Sequence, residues 1–127
     1  MEVTLGENHL MVQHMVRDFA AREIAPYSAQ WDESGEFPAA VIQKLGELGV
    51  TGLLFPEEYG GSGGDMLSFV VALEELAKVD SSVASTVEAD SALCGQLLVQ
   101  FGTEEQKQRW LAPAGAALLS WHDNQWT

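Results

Sequence analysis

The chain has 127 residues and a net charge of −13, from 19 acidic residues against 6 Lys and Arg. Hydrophobic residues reach 46%, too many for a disordered segment, and the length suits one domain burying roughly two-thirds of its unfolded surface. The strong acidity argues against nucleic acid or anionic membrane surfaces as partners, no apolar run approaches the ~20 residues of a membrane span, and the single Cys94 excludes an internal disulfide framework and fits a reducing cytoplasm.

The hydrophobic pattern predicts helices throughout. Thr4 opens T-L-G-E, a capping box with Glu7, ahead of an amphipathic helix whose buried face is Val12, Met15, Val16 and Phe19. Ile24-Ala25-Pro26 interrupts or kinks that helix, because proline lacks the interior donor, and helix resumes until Ser34-Gly35. A second helix runs from Pro38 to Leu48 and stops at Gly49. Val50 to Phe55 is an apolar connector, followed by a turn-rich, glycine-rich loop from Pro56 to Asp65. A third helix spans Met66 to Lys78, with Glu74 and Lys78 as an i,i+4 pair.

Asp80 or Ser81 caps the fourth helix, Ser81 to Phe101, which is ~30 Å long. Its predicted core stripe is Val83, Val87, Cys94, Leu97, Leu98 and Phe101, which makes Cys94 a buried structural thiol rather than a nucleophile. The opposite face, Ser85, Glu88, Ala89, Ala92, Gln96 and Val99, is small and weakly polar where a solvent-facing helix usually carries charge. A partner on both sides is the expectation. Gly102 ends this helix, and Thr103 starts a short fifth one through Trp110.

Most other candidate chemistry reads as structure. Gly60 to Asp65 precedes a helix but lacks the Lys-Ser/Thr pair of a phosphate loop, so it is taken as a turn. His9 and His14 do not share a helix face, and His122 is remote, so no metal site is expected. The paired acids Glu57-Glu58 and Glu74-Glu75 read as solvated charges and helix pairs.

Several motifs in order then carry a resemblance. Arg17-Asp18-Phe19-Ala20, Glu23-Ile24-Ala25-Pro26, Trp31-Asp32-Glu33 and Phe37-Pro38 are followed by Leu45-Gly46-Glu47-Leu48-Gly49 and Pro56-Glu57-Glu58-Tyr59-Gly60-Gly61. Glu74-Glu75-Leu76-Ala77, Asp80-Ser81-Ser82-Val83-Ala84 and Phe101-Gly102-Thr103-Glu104-Glu105-Gln106-Lys107 complete the set. Over about residues 5–112 the chain resembles the N-terminal helical domain of the acyl-CoA dehydrogenase family. The EELAKVDSSVA run is most similar to short- and branched-chain members.

The resemblance implies an all-α bundle of about five to six helices over residues 1–112, with a divergent tail at 113–127. It also implies a flavoprotein family in which a carboxylate removes the α proton of an acyl-CoA and FAD takes hydride from the β carbon. Flavin and base come mainly from a middle β-domain and a C-terminal helical domain, so no catalytic or cofactor-binding residue is assigned here. This chain alone is expected to bind no FAD. After Leu111 the family continues into a segment that contacts flavin and substrate, whereas Ala114 to Thr127 does not resemble it, pointing to an abridged member.

Carried over by position, Ala84, Ser85, Glu88, Ala89 and Ala92 are acyl-CoA pocket-wall residues, with Glu88 near the closed end and not the catalytic base. The bland reading is close helix packing with Glu88 at a solvated edge. A non-catalytic module that self-associates, or docks to the missing domains, through the fourth-helix face is the alternative function. Trp121 and Trp126 either cover a face left bare or belong to a disordered tail.

Overall fold

A computed structural model describes residues 3–115 of the chain. Six helical runs and one short 3₁₀ turn, Glu57–Tyr59, follow one another among the described residues, and no strand occurs among them. Helix α1 (7–24) comprises Glu7–Phe19 and a π-helical turn, Ala20–Ile24. Helices α2 (Ser28–Ser34), α3 (Ala39–Glu47) and α4 (Met66–Ala77) come next. Helix α5 (81–101) joins Ser81–Glu88 to Gln96–Phe101 through a π-helical stretch, Ala89–Gly95. Helix α6 (104–115) joins Glu104–Gln106, π-helical Lys107–Leu111 and Ala112–Gly115, so helix carries on past the boundary expected at 112. No described helix is long and apolar enough to cross a membrane.

The helix ends follow side-chain chemistry. Asp65 caps α4 by accepting from Ser68 N at 2.8 Å, and Asp80 caps α5 by accepting from Ser82 N and Val83 N at 2.9 and 3.1 Å. Thr103 and Gln106 form a reciprocal capping box at the start of α6. Gly35 and Gly49, with φ of 70° and 82°, close α2 and α3 in the left-handed region. The predicted Thr4 box does not form: α1 starts at Glu7 behind Gly6, whose N–H donates to His9 Nδ1 at 2.9 Å. The imidazole supplies the missing acceptor instead.

Helix α1 lies along α4, and α4 along the first two turns of α5. Val16, Phe19 and Ile24 of α1, Phe69 and Leu76 of α4, Val83 and Val87 of α5 and Leu45 of α3 meet in one buried cluster. Each such side chain contributes about 1.5–3 kcal/mol by leaving water. The Val50–Phe55 connector is a run of turns, and Val50, Thr51, Leu53 and Phe55 are all buried. Phe55 joins Tyr59, Leu111 and Ala114 in a second cluster under α6, where the Tyr59 hydroxyl donates to Glu104 at 2.7 Å.

One carboxylate sits inside this bundle. Glu75, only 3% exposed, accepts from Arg17 Nε and Nη2 at 3.1 and 3.0 Å, from Lys78 Nζ at 2.9 Å and from Gln13 Nε2 at 3.2 Å. The sequence pattern predicts Glu74-Glu75 to be solvated charges and helix pairs. Glu74 does pair with Lys78 at 3.4 Å and stays exposed, but Glu75 is a buried tie between α4 and α1. Hydrogen bonding from Arg17 is the main cause that pulls the Glu75 carboxyl from 4.5 down to about 2, against the opposing effect of burial.

Because the folded value lies below the unfolded one, this tie stabilises fully above about pH 4.5 and is lost as pH falls through about 2. Arg17→Met should lower the unfolding free energy at pH 7, since it removes two of the four hydrogen bonds to the buried carboxylate and leaves it to Lys78 and Gln13. Urea melts between pH 7 and pH 2.5 check this: the gap between wild type and variant should narrow as the acid limb is entered. A constant gap would show that Arg17 acts through packing alone.

Candidate functional site on the outer face of α5

The two ends of α5 are built differently. Over Ser81–Glu88 the helix is regular, and Val83, Ala84 and Val87 are buried against α4. From Ala89 to Gly95 the backbone widens into i→i+5 bonding. A regular helix rotates past one turn in four residues, so a line drawn through every fourth residue drifts around its surface. The wider turn holds more residues and cancels that drift. Val87, Ser91 and Gly95, four apart, therefore all stay on the buried side.

The connector fixes this turn in place. Ser91, fully buried, donates its hydroxyl to Thr51 O at 2.6 Å, and Thr51 in turn donates to Gly115 O at 2.9 Å. A Cβ on Gly95 would run into the Phe55 ring, so only glycine lets the helix lie this close. Gln96 Nε2 donates to Leu54 O at 3.3 Å. Three residues of the π-stretch and its exit are thus tied to one buried connector.

The consequence is a rotation of the second half of the helix. The predicted core stripe holds at Val83 and Val87, and Leu98 is half-buried against the second cluster. It fails beyond them. Cys94 is exposed rather than a buried structural thiol, and Leu97 and Phe101 are 61% and 78% exposed. The physical reason is the π-stretch, which breaks the 3.6-residue period on which the stripe was drawn.

Of the predicted wall residues, Ser85 and Glu88 are exposed and Ala89 and Ala92 half-buried. The Glu88 carboxylate takes no hydrogen bond among the described residues. Ala84 differs: it is 6% exposed and belongs to the main core cluster. Beyond Ala92 a shallow groove of about 270 Å³ is lined by Ala92, Leu93, Gln96, Leu97 and Gln100. Leu93 and Leu97 leave most of their side chains in the open there. Next to this face, burial pushes the Asp90 carboxyl up to about 6. Sequence reasoning placed Ala92 and Gln96 on this face but missed Leu97, because the helical period placed it inward.

A larger open cleft of about 550 Å³ lies between α2 and the start of α5, lined by Trp31, Asp32, Phe37, Asp80 and Thr86 among others. Its central carboxylate is already engaged, since Asp80 caps α5 and accepts from the Ser28 hydroxyl at 2.6 Å. The outer face of α5 is the better candidate because Leu93 and Leu97 on it are left open among the described residues.

The glycine loop before α4 does not cradle an anion. The amides of Gly61, Ser62, Gly63 and Gly64 donate to the carbonyls of Pro56, Gly52, Phe55 and Leu53. With these donors consumed, the loop is a fold over the connector, and a Cβ on Gly61 or Gly64 would strike Phe55 or Leu53.

Gly95→Ala is expected to destabilise the chain by about 1–3 kcal/mol through overpacking, and Phe55→Leu in the same chain should recover part of the loss. A thermodynamic double-mutant cycle checks this; additive losses would mean that the two residues do not press on each other.

The protein-family model described as acyl-CoA dehydrogenase, N-terminal domain, matches residues 6–117. The probable acyl-CoA dehydrogenase YngJ of Bacillus subtilis is 48% identical over 122 residues, covering 94% of this chain and 32% of that protein. Among solved structures, butyryl-CoA dehydrogenase from Megasphaera elsdenii matches with a TM-score of 0.85 and 38% identity, over 93% of this chain and 32% of the other. A glutaryl-CoA dehydrogenase from Mycobacterium smegmatis in complex with FADH2 matches with a TM-score of 0.84 and 30% identity, over 89% and 29%. The chain spans about a third of the length of the relatives it matches.

Proposed function

The chain belongs to the acyl-CoA dehydrogenase family, as its N-terminal helical domain, and from that premise we propose that the outer face of α5 walls the acyl-chain pocket of an FAD-dependent acyl-CoA dehydrogenase. Ser85, Glu88, Ala89 and Ala92 are the wall residues, and Ala84 backs them from the core side. The observation that carries this reading is the exposed, small-residue surface of α5 running into the Ala92–Gln100 groove. Short side chains leave room for an acyl tail, and the lack of ionic partners suits a dry chamber. Bound by the rest of such an enzyme, FAD would supply the hydride-accepting chemistry. The role of these residues is to bind the tail, orient it and exclude water.

The same face supports a second reading, a non-catalytic module that docks another protein. Leu93, Leu97 and Phe101 favour it, because they expose a contiguous apolar run along α5.

Two measurements separate these readings. The 127-residue chain, incubated with excess FAD and desalted, should show no flavin band, because the loop amides that might hold phosphate are consumed internally. A retained band would overturn the assignment of flavin binding to other domains. Residues 6–111 exchanged into the M. elsdenii butyryl-CoA dehydrogenase should preserve butyryl-CoA oxidation. In that chimera Ala92→Leu should lower kcat/KM by tenfold or more, about 1.4 kcal/mol or above, with a smaller effect on shorter acyl chains. An active chimera indifferent to Ala92→Leu would leave the docking-module reading standing.

A further inference from the structure

We propose that His9 is an acid-responsive latch at the start of α1, which holds the chain entry at Gly6 while its ring is neutral and releases it when the ring is protonated. The two ring nitrogens play different parts. Nδ1 accepts from the Gly6 N–H at 2.9 Å, so it carries no proton. Nε2 is left as the protonated nitrogen, and it donates to Asp65 Oδ2 at 2.8 Å. Asp65 Oδ1 accepts from Ser68 N as the cap of α4. One imidazole therefore joins the starts of two helices, and Arg17 on Glu75 ties the same pair about two turns further along.

Protonation acts on one of these two bonds only. Nε2 already holds a hydrogen, so a further proton goes to Nδ1. An Nδ1–H cannot accept, and it would point at the Gly6 N–H. The bond to Asp65 survives and becomes charge-assisted. Asp65 stays ionised to meet it, because the His9 hydrogen bond, before the help of Ser68, holds that carboxyl well below the usual carboxylate range. Acid thus removes the cap of α1 and leaves its tie to α4 in place. The Arg17–Glu75 tie keeps α1 docked as well, since it is lost only as pH falls through about 2.

The surroundings of the ring leave the latch free to work. Among the described residues Asp65 is the only carboxylate within 4 Å of it. On the α4 side Gly64, Met66 and Leu67 beside Asp65 carry no charge. On α1 itself Glu7 is two residues away, where helical side chains point apart, and Gln13, one turn on, is neutral and bound to Glu75. The His9 side chain keeps 17% of its surface in the open, which admits a proton, and Gly6 is exposed, so its released N–H turns to water.

Nitrogen-15 NMR of the 127-residue chain tests this. At pH 8, long-range ¹H–¹⁵N spectra should show a bare Nδ1 and a protonated Nε2 for His9, whose signals are identified by their absence in His9→Gln. Between pH 8 and pH 5, as that ring is protonated, the exchange protection of the Gly6 amide should fall about fivefold, the worth of one helix cap. The Ser82 amide, capped by Asp80, should hold its protection over the same range. His9→Gln supplies an acceptor that does not titrate, as in a capping box, and should abolish the pH response of Gly6. An Nδ1–H tautomer at pH 8 would overturn the proposal. So would a Gly6 amide indifferent to ring protonation, or a response that persists in His9→Gln.

Discussion

The structure depends on a carboxylate that has been taken out of water and given partners from two helices. Glu75 on α4 is held by Arg17 and Gln13 of α1 and by Lys78 one turn along its own helix. Apolar packing between α1 and α4 is non-directional and tolerates sliding. A forked guanidinium–carboxylate contact does not, because two hydrogen bonds must form together. This tie fixes the register of α1 on α4. α4 in turn presents the surface against which Val83, Ala84 and Val87 of α5 bury.

Once α5 is docked at its first two turns, the connector decides how its remainder is turned. Val50–Phe55 runs buried between the two hydrophobic clusters and offers backbone carbonyls to Ser91 and Gln96. The wide turn at Ala89–Gly95 keeps Ser91 and Gly95 inward, so Leu93, Leu97 and Phe101 turn outward. The glycine loop completes the arrangement by folding over the connector with its amides satisfied by it. The apolar outer face of α5 is thus a product of how its inner face is held.

That face links the fold to function. The chain belongs to the acyl-CoA dehydrogenase family and spans about a third of the length of the relatives it matches, and under the proposed reading the outer face of α5 is the side that meets the acyl chain. The small and apolar side chains of that face are what the proposed role as a pocket wall requires.

Much of this was legible in the chain alone. Hydrophobic spacing placed the helices, Asp80 and Gly49 marked their ends, and ordered motifs from Arg17 to Lys107 identified the family. These features are local, and local chemistry decides them: a cap needs an acceptor, a left-handed turn needs a glycine, and a buried face needs a period. Four features needed the tertiary structure: the burial of Glu75, the Gly6–His9 contact that displaces the Thr4 cap, the exposure of Cys94, and the outward turn of Leu97 and Phe101. Each depends on what a distant segment brings: Arg17 for Glu75, Asp65 holding the His9 ring at 2.8 Å for the Gly6–His9 contact, and Thr51 with Phe55 for the π-stretch. A helical period read from sequence assumes a uniform helix. The period holds only until a buried partner makes a wider turn the lower-energy choice.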